Sequence, residues 1–175
     1  MAKEMIAERI FDASRCRHYI NEVTSVMHCH HYASLYTQLA VDAGDMFDGH
    51  KILNDTSEET FYPILKDYFN NNKITTVEDR VSIVEQYWAF TGMGKLIIKE
   101  ITPKGGTAEM PFSHVDSGWI KKWGHREKPV NFIGCGYIAA VFASIFDLPI
   151  GSYQVIETQS IVANNEKSVF SIEKK

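Results

Sequence analysis

The sequence has no hydrophobic run long enough to span a bilayer. Its longest, Asn131 to Phe146, covers 16 residues and is soon followed by polar sequence, whereas a spanning helix needs about 20. A basic block is missing too: the net charge is −4 at pH 7, which argues against nucleic acid as a partner and gives no reason to expect membrane insertion. Cysteine is scarce, with only Cys16, Cys29 and Cys135, an odd number set far apart. That argues against a disulfide framework and for a reducing compartment. The opening Met-Ala-Lys-Glu-Met-Ile-Ala-Glu-Arg-Ile is too acidic and too weakly apolar for a signal peptide, so the cytoplasm is the expected location. There is no internal repeat, low-complexity tract or dividing linker. A chain of 175 residues with 45% hydrophobic content is expected to form a single domain, residues 1–175, with residues 1–22 as a lead-in and enough chain to bury a real core.

What the sequence does have is one stretch on which the rest packs. From Asn131 to Phe146 there is no charge, Cys135, Ile138, Phe142 and Ile145 recur at helical spacing, and other apolar residues fill the remaining faces. A helix apolar nearly all round must be buried on most sides. Behind it, Tyr153 to Ala163 and Ser168 to Ile172 read as two strands of a hairpin joined through Asn164-Asn165.

Earlier in the chain, Thr24 or Ser25 is positioned to cap a helix that runs to about Ala43 and stops at Gly44, with Met27, Tyr32, Leu35, Leu39 and Val41 as its periodic apolar residues. Asp42, Asp45 and Asp48 lack the spacing of a calcium loop and read as a solvated loop. Asp55 or Thr56 is expected to start a second helix, with Glu58-Glu59 in its first turn and Phe61, Ile64, Leu65, Tyr68 and Phe69 facing inward. A third helix is predicted from about Val77 to Phe90. Strands follow at Leu96 to Thr102 and around Glu109 to His114, then a short helix from Asp116. Helices first, then strands, a core helix and a hairpin make this α+β: helices packed on an antiparallel sheet, with a C-terminal buried helix followed by a β-hairpin.

Several pieces of the last third carry a resemblance. Ser113-His-Val-Asp-Ser-Gly-Trp-Ile-Lys-Lys-Trp-Gly124, Lys128-Pro-Val-Asn, the Gly136-Tyr137 pair with its helix, Val155-Ile-Glu-Thr-Gln-Ser160 and Val169-Phe-Ser-Ile172 occur in the order and spacing of the 4-vinyl-reductase domain family. Residues 113–173 resemble those small ligand-binding domains, which include hydrocarbon-binding proteins and the sensor domains of aromatic-responsive regulators. The resemblance implies an α+β fold shared with haem-based nitric-oxide sensors and vesicle-tethering subunits. It also implies a homodimer and an enclosed cavity for a hydrophobic, aromatic or tetrapyrrole-like molecule. Zinc-containing relatives hold their metal at positions that fall here on Asn131, Glu157, Ser160 and Ser168. Three of these lack the thiolate that zinc prefers, so structural zinc is not expected.

Three features could carry chemistry. In His28-Cys29-His30-His31, a helix would put His28 and His31 on one face with Tyr32, able to hold a transition metal or haem, or to share acid–base work. Further ligands would have to come from residues such as His50, His114 or Cys135. Partly buried or exposed histidines with no such role are the competing reading. In Gly134-Cys135-Gly136, Cys135 either lines a pocket, acts as a nucleophile with His31 as its base, or fills space as a small buried hydrophobe. Finally, His114, Trp119, Phe132, Phe112 and Trp123 are candidates to line a ligand cavity together with His28, His31, Tyr32 and Cys135, or are ordinary core aromatics.

Three functions follow. The first is a small-molecule-binding domain. The second is an enzyme on the same scaffold, since the chain is also distantly similar to the thiazoline-carboxylate hydrolase family, in which cysteine and histidine would open a ring. The third is a haem or metal protein using His28 and His31. Binding is the reading best supported by the residues.

Overall fold

The computed structural model describes residues 3–26 and 29–175. The apolar stretch forms helix α5, Phe132–Ile145, in which every residue from Gly134 to Ile145 is buried. One of its sides is covered by an antiparallel sheet of β4 (Gly94–Thr102), β5 (Gly105–Ser113), β6 (Tyr153–Gln159) and β7 (Ser168–Lys174), in the order β4-β5-β7-β6. The strands obey a period of two. Tyr153, Val155 and Glu157 of β6 and Ser168, Phe170 and Ile172 of β7 are buried while their neighbours are more exposed, so one face of the sheet meets the core.

The other sides of α5 are closed by α2 (Gly49–Asn71) and α3 (Val77–Phe90). The α2 contact is close because Gly136 has no side chain: a Cβ there would sit 2.1 Å from the Asn54 carbonyl oxygen. On the α3 side the Tyr137 hydroxyl donates to the Val84 carbonyl at 2.6 Å, and the Trp88 and Tyr137 rings pack tilted at 30° with centroids 4.4 Å apart. Two further helices, α1 (His30–Asp42) and α4 (His114–Trp123), enclose a smaller cluster of Ala33, Val115, Trp119, Val130 and Val162. Before α1, β1 (Arg9–Asp12), β2 (Arg17–Ile20) and β3 (Val23–Ser25) form a separate antiparallel sheet. Among the described residues no helix is long and apolar enough to cross a membrane.

The α+β class, the third helix, the core helix and the hairpin lie where the sequence puts them, except that the first hairpin strand ends at Gln159 and Ile161–Ala163 form a 3-10 turn. The first two helices do not. Thr24 and Ser25 are in β3 and cap nothing; α1 begins at His30 behind Cys29, and its end passes into a single 3-10 turn at Ala43–Asp45. Helix α2 starts six residues before Asp55, at Gly49, because the Asp48 carboxylate accepts the Lys51 N–H at 2.9 Å and acts as the cap. Asp48 is therefore part of a helix terminus rather than of a solvated loop. Glu58, expected in a first turn, lies inside α2, buried, and accepts the Gly151 N–H at 2.9 Å.

Helix α1 also turns its faces the other way. It buries Ala33, Ser34, Thr37 and Ala40, while Tyr32, Leu35, Tyr36 and Leu39 are 52, 43, 44 and 57% exposed. Small residues face inward because the neighbours come close. A Cβ on Gly118 of α4 would lie 2.8 Å from the His30 carbonyl, and one on Gly49 would lie 2.6 Å from that of Ala40.

Candidate functional site

The N-terminal half of α2, the start of α5 and strand β6 together border an open groove of about 670 Å3. Phe132 and Tyr153 provide aromatic wall and Val155 aliphatic wall; His50, Glu58 and Glu157 are among its ionisable groups, and Lys51, Lys128 and Lys175 line it as cations. The His50 imidazole stacks on Phe132, with ring centroids 4.1 Å apart and planes 15° from parallel. Cys135 also lines the groove.

At His50, Glu58 and Glu157 the electrostatics favour the neutral form. Burial holds the His50 imidazole below its ordinary value, against the raising effect of Asp48. Burial likewise raises Glu58, against the Gly151 N–H that stabilises its charge. Glu157 is pushed up to about 7, first by burial and then by the carboxylate of Asp116. Burial, reinforced by Glu157, raises the Cys135 thiol well beyond neutral pH. Protonated and almost fully buried, it packs as a small apolar group rather than an activated nucleophile.

Behind the groove, Glu157 belongs to a closed polar cluster. The Ser168 hydroxyl donates to Glu157 Oε1 at 2.6 Å, and the Asn131 backbone N–H donates to Oε2 at 3.2 Å. The Asn131 amide donates to Ser113 Oγ at 3.2 Å and Asp116 Oδ2 at 3.3 Å, while its Oδ1 accepts the Gly134 N–H at 3.0 Å and so caps α5. Ser160 Oγ donates to Asp116 Oδ1 at 3.3 Å. Asp116 is itself raised by burial, against the hydrogen bonds of Ser113, Ser160 and Asn131. Asn131, Glu157, Ser160 and Ser168, the positions that correspond to the zinc ligands of relatives, thus do come together. Their donor set is oxygen with one amide and no thiolate, and their polar atoms are spent on one another. This chemistry does not fit zinc, and the cluster ties α4, α5 and the hairpin by hydrogen bonds instead.

The remaining candidates lie apart. His28 falls outside the described residues. His31 is exposed on α1 with Nδ1 3.4 Å from Cys29 Sγ, and Tyr32 belongs to the exposed face of the same helix. His30, rather than His31, turns inward: its Nε2 is buried without a partner among the described residues, and its ring lies 6.2 Å from that of His114. Trp119 is buried in the small α1–α4 cluster, where Trp123 lies 4.8 Å from its ring and the Arg126 guanidinium 5.0 Å. Phe112 and Trp123 are exposed. Of the candidates proposed from sequence to line a ligand cavity, Phe132 and Cys135 are the ones among the described residues that share the groove, together with His50, offered as a further metal ligand, and Glu157 of the zinc positions. Among the described residues no group of three or more His, Cys, Asp or Glu side chains is placed to hold a metal ion.

From sequence, Asp116 is only the start of a short helix, Glu58 only a first-turn acid and His50 only a further metal ligand. A signal existed for Asp116, because Ser113 stands three residues before it and its hydroxyl accepts the Asp116 N–H at 3.2 Å. For Glu58 there was none, since the misplaced start of α2 put it in a turn.

The class of protein is set by this arrangement: an α+β domain in which a buried helix backs a four-stranded antiparallel sheet ending in a C-terminal hairpin. Among solved structures, the fold is shared with the phenol-responsive sensory domain of the transcription activator PoxR, determined with phenol. That match has a TM-score of 0.76 at 10% identity over 95% of this chain and 84% of the other. It is shared as well with a vinyl-4-reductase family protein from Methanocaldococcus jannaschii, with a TM-score of 0.55 at 16% identity over 86% of this chain and 84% of that one. The resemblance of residues 113–173 to the 4-vinyl-reductase family thus extends to the fold of nearly the whole chain. No family model and no curated protein matches the sequence.

Proposed function

We propose that this chain is a cytoplasmic small-molecule-binding domain whose α2–α5–β6 groove takes a compact aromatic ligand bearing an uncharged polar group, and that it acts as a homodimer. The observation that carries the reading is the groove itself, of a size suited to a small ligand and with His50, Glu58 and Glu157 each driven toward the neutral form. A charged ligand would find no strong counter-charge in those groups. A neutral ring would stack beside Phe132 and His50, with a hydroxyl within reach of a carboxyl group. The PoxR sensory domain, of the same fold, was solved with phenol, which agrees with a ligand of this kind. Isothermal titration with phenol tests it: saturable binding to the parent protein, weakened roughly ten-fold by Phe132→Ala through lost aromatic contact, is the expected outcome. Phenol binding that is absent, or indifferent to Phe132→Ala and His50→Ala alike, would refute the assignment.

The homodimer is supported by α1. Tyr32, Leu35, Tyr36 and Leu39 form an exposed i, i+3, i+4, i+7 stripe, and Met46 and Phe47 beyond the helix end are exposed as well. A contiguous apolar face of that kind marks an association surface, and a second copy would supply the same face in a symmetric contact. The cytoplasmic location is supported by the three free cysteines.

A further inference from the structure

A second cleft, of about 430 Å3, lies between the N-terminal sheet and the end of α3 and shares no lining residue with the groove. Its sheet wall follows from strand register. Arg9 pairs with Ile20, and His18 pairs with both Phe11 and Ser25; directly opposed residues, and those two apart, share a face. Arg9, His18, Ile20 and Ser25 therefore stand on one face, and all four line the cleft. The opposite wall is the end of α3 and the turn that leads to β4, with Phe90 and Met93, and His114 completes the rim.

This lining is one-sided in charge. It holds one guanidinium and two imidazoles, and among the described residues that line it there is no aspartate or glutamate. The Arg9 guanidinium lies over the Phe90 ring, 5.4 Å from its centroid, which leaves its planar edge available for hydrogen bonding while its face is occupied. No carboxylate among the described residues forms an ion pair with Arg9. A cation held beside apolar wall and left without a counter-ion is the complement of an organic anion. The guanidinium fork matches a carboxylate, and Ile20, Phe90 and Met93 give a hydrocarbon body something to cover.

We infer that the cleft between the N-terminal sheet and the α3–β4 junction is a binding site for a compact organic carboxylate, separate from the groove proposed for a neutral ring. Its carboxylate would meet Arg9, with His18 beside it, and its apolar part would lie against Phe90 and Met93. Benzoate is the probe, titrated calorimetrically into the full chain, with benzamide as its uncharged counterpart and inorganic phosphate as an anion without apolar surface. Benzoate is expected to bind saturably, benzamide and phosphate much more weakly. Arg9→Met should weaken benzoate roughly ten-fold, as loss of a charge-assisted hydrogen bond does, while Arg9→Lys should weaken it less. His18→Gln, on a different strand, should weaken it as well, so the result does not hang on one variant's folding, which circular dichroism checks. Equal binding of benzamide, equal binding of phosphate, no benzoate binding, or folded Arg9→Met and His18→Gln variants with parental affinity would each overturn the site.

Discussion

At Glu157 two costs coincide, since the carboxylate is buried and a second carboxylate, Asp116, stands beside it. Its folded value is about 7 against 4.5 when free, so the folded chain holds the proton more tightly than the unfolded one. The sign follows from linkage. This group's contribution is most favourable below about 4.5 and is lost as pH rises through about 7. Denaturant unfolding at pH 5 and pH 8 is expected to show that loss, and Glu157→Gln should reduce it, with the variant gaining on the order of 2 kcal/mol over the parent at the higher pH. A parent and variant with the same pH slope would show that another group carries it. Thiols give a second residue-scale test. Cys16 and Cys29 are exposed and Cys135 is buried, so a thiol reagent should label the first two in the native protein and Cys135 only after unfolding. The shape of the core is tested at Gly136, where a methyl group would drive into the Asn54 carbonyl. Gly136→Ala should cost about 3 kcal/mol by overpacking, read as a shift in the unfolding midpoint.

At the scale of elements, α3 and α2 show how much a boundary depends on its cap. The first turn of α3 carries Glu78 and Asp79, and the Thr76 hydroxyl accepts the Asp79 N–H at 3.1 Å, so a helix from Val77 was legible from local chemistry. Asp48 and Asp55 competed for the start of α2, and both suit the role by type. The structure selects Asp48. Asp48→Ala is accordingly expected to lower stability by about 1 kcal/mol through loss of the cap. Asp55→Ala should do less, because its exposed pairing with Lys51 contributes little. Equal effects, or the reverse order, measured by chemical denaturation, would contradict the placement of the helix start. Helix α1 is the opposite case, since its apolar periodicity was real but pointed outward. Periodicity reports that a helix has an apolar face, not which neighbour covers it.

That outward face sets the test for the whole molecule. With Tyr32, Leu35, Tyr36 and Leu39 exposed on one stripe, Leu39→Glu should shift sedimentation from dimer to monomer and leave the circular dichroism spectrum unchanged. A parent chain that is monomeric at high concentration would dispose of the homodimer.

Much of the architecture was settled by local sequence. Unbroken apolarity made α5 a buried helix, β-branched runs with an Asn-Asn turn made the last hairpin, and the sum made an α+β domain. These are properties of neighbouring residues, and burial or pairing follows from them whatever lies elsewhere. The sites are not of that kind. Asn131, Asp116, Glu157 and Ser168 come from three helix and strand boundaries and a strand interior, and they form a network only because α4, α5, β6 and β7 meet at one place. The sequence determined that zinc's thiolates were missing there; the tertiary structure decided what took their place. It likewise decided that Phe132 would meet His50 rather than Trp119, because helix packing brings the start of α2 against the start of α5 and puts Trp119 in the smaller core between α1 and α4. Long-range proximity is an outcome of packing, and no pattern along the chain encodes it on its own.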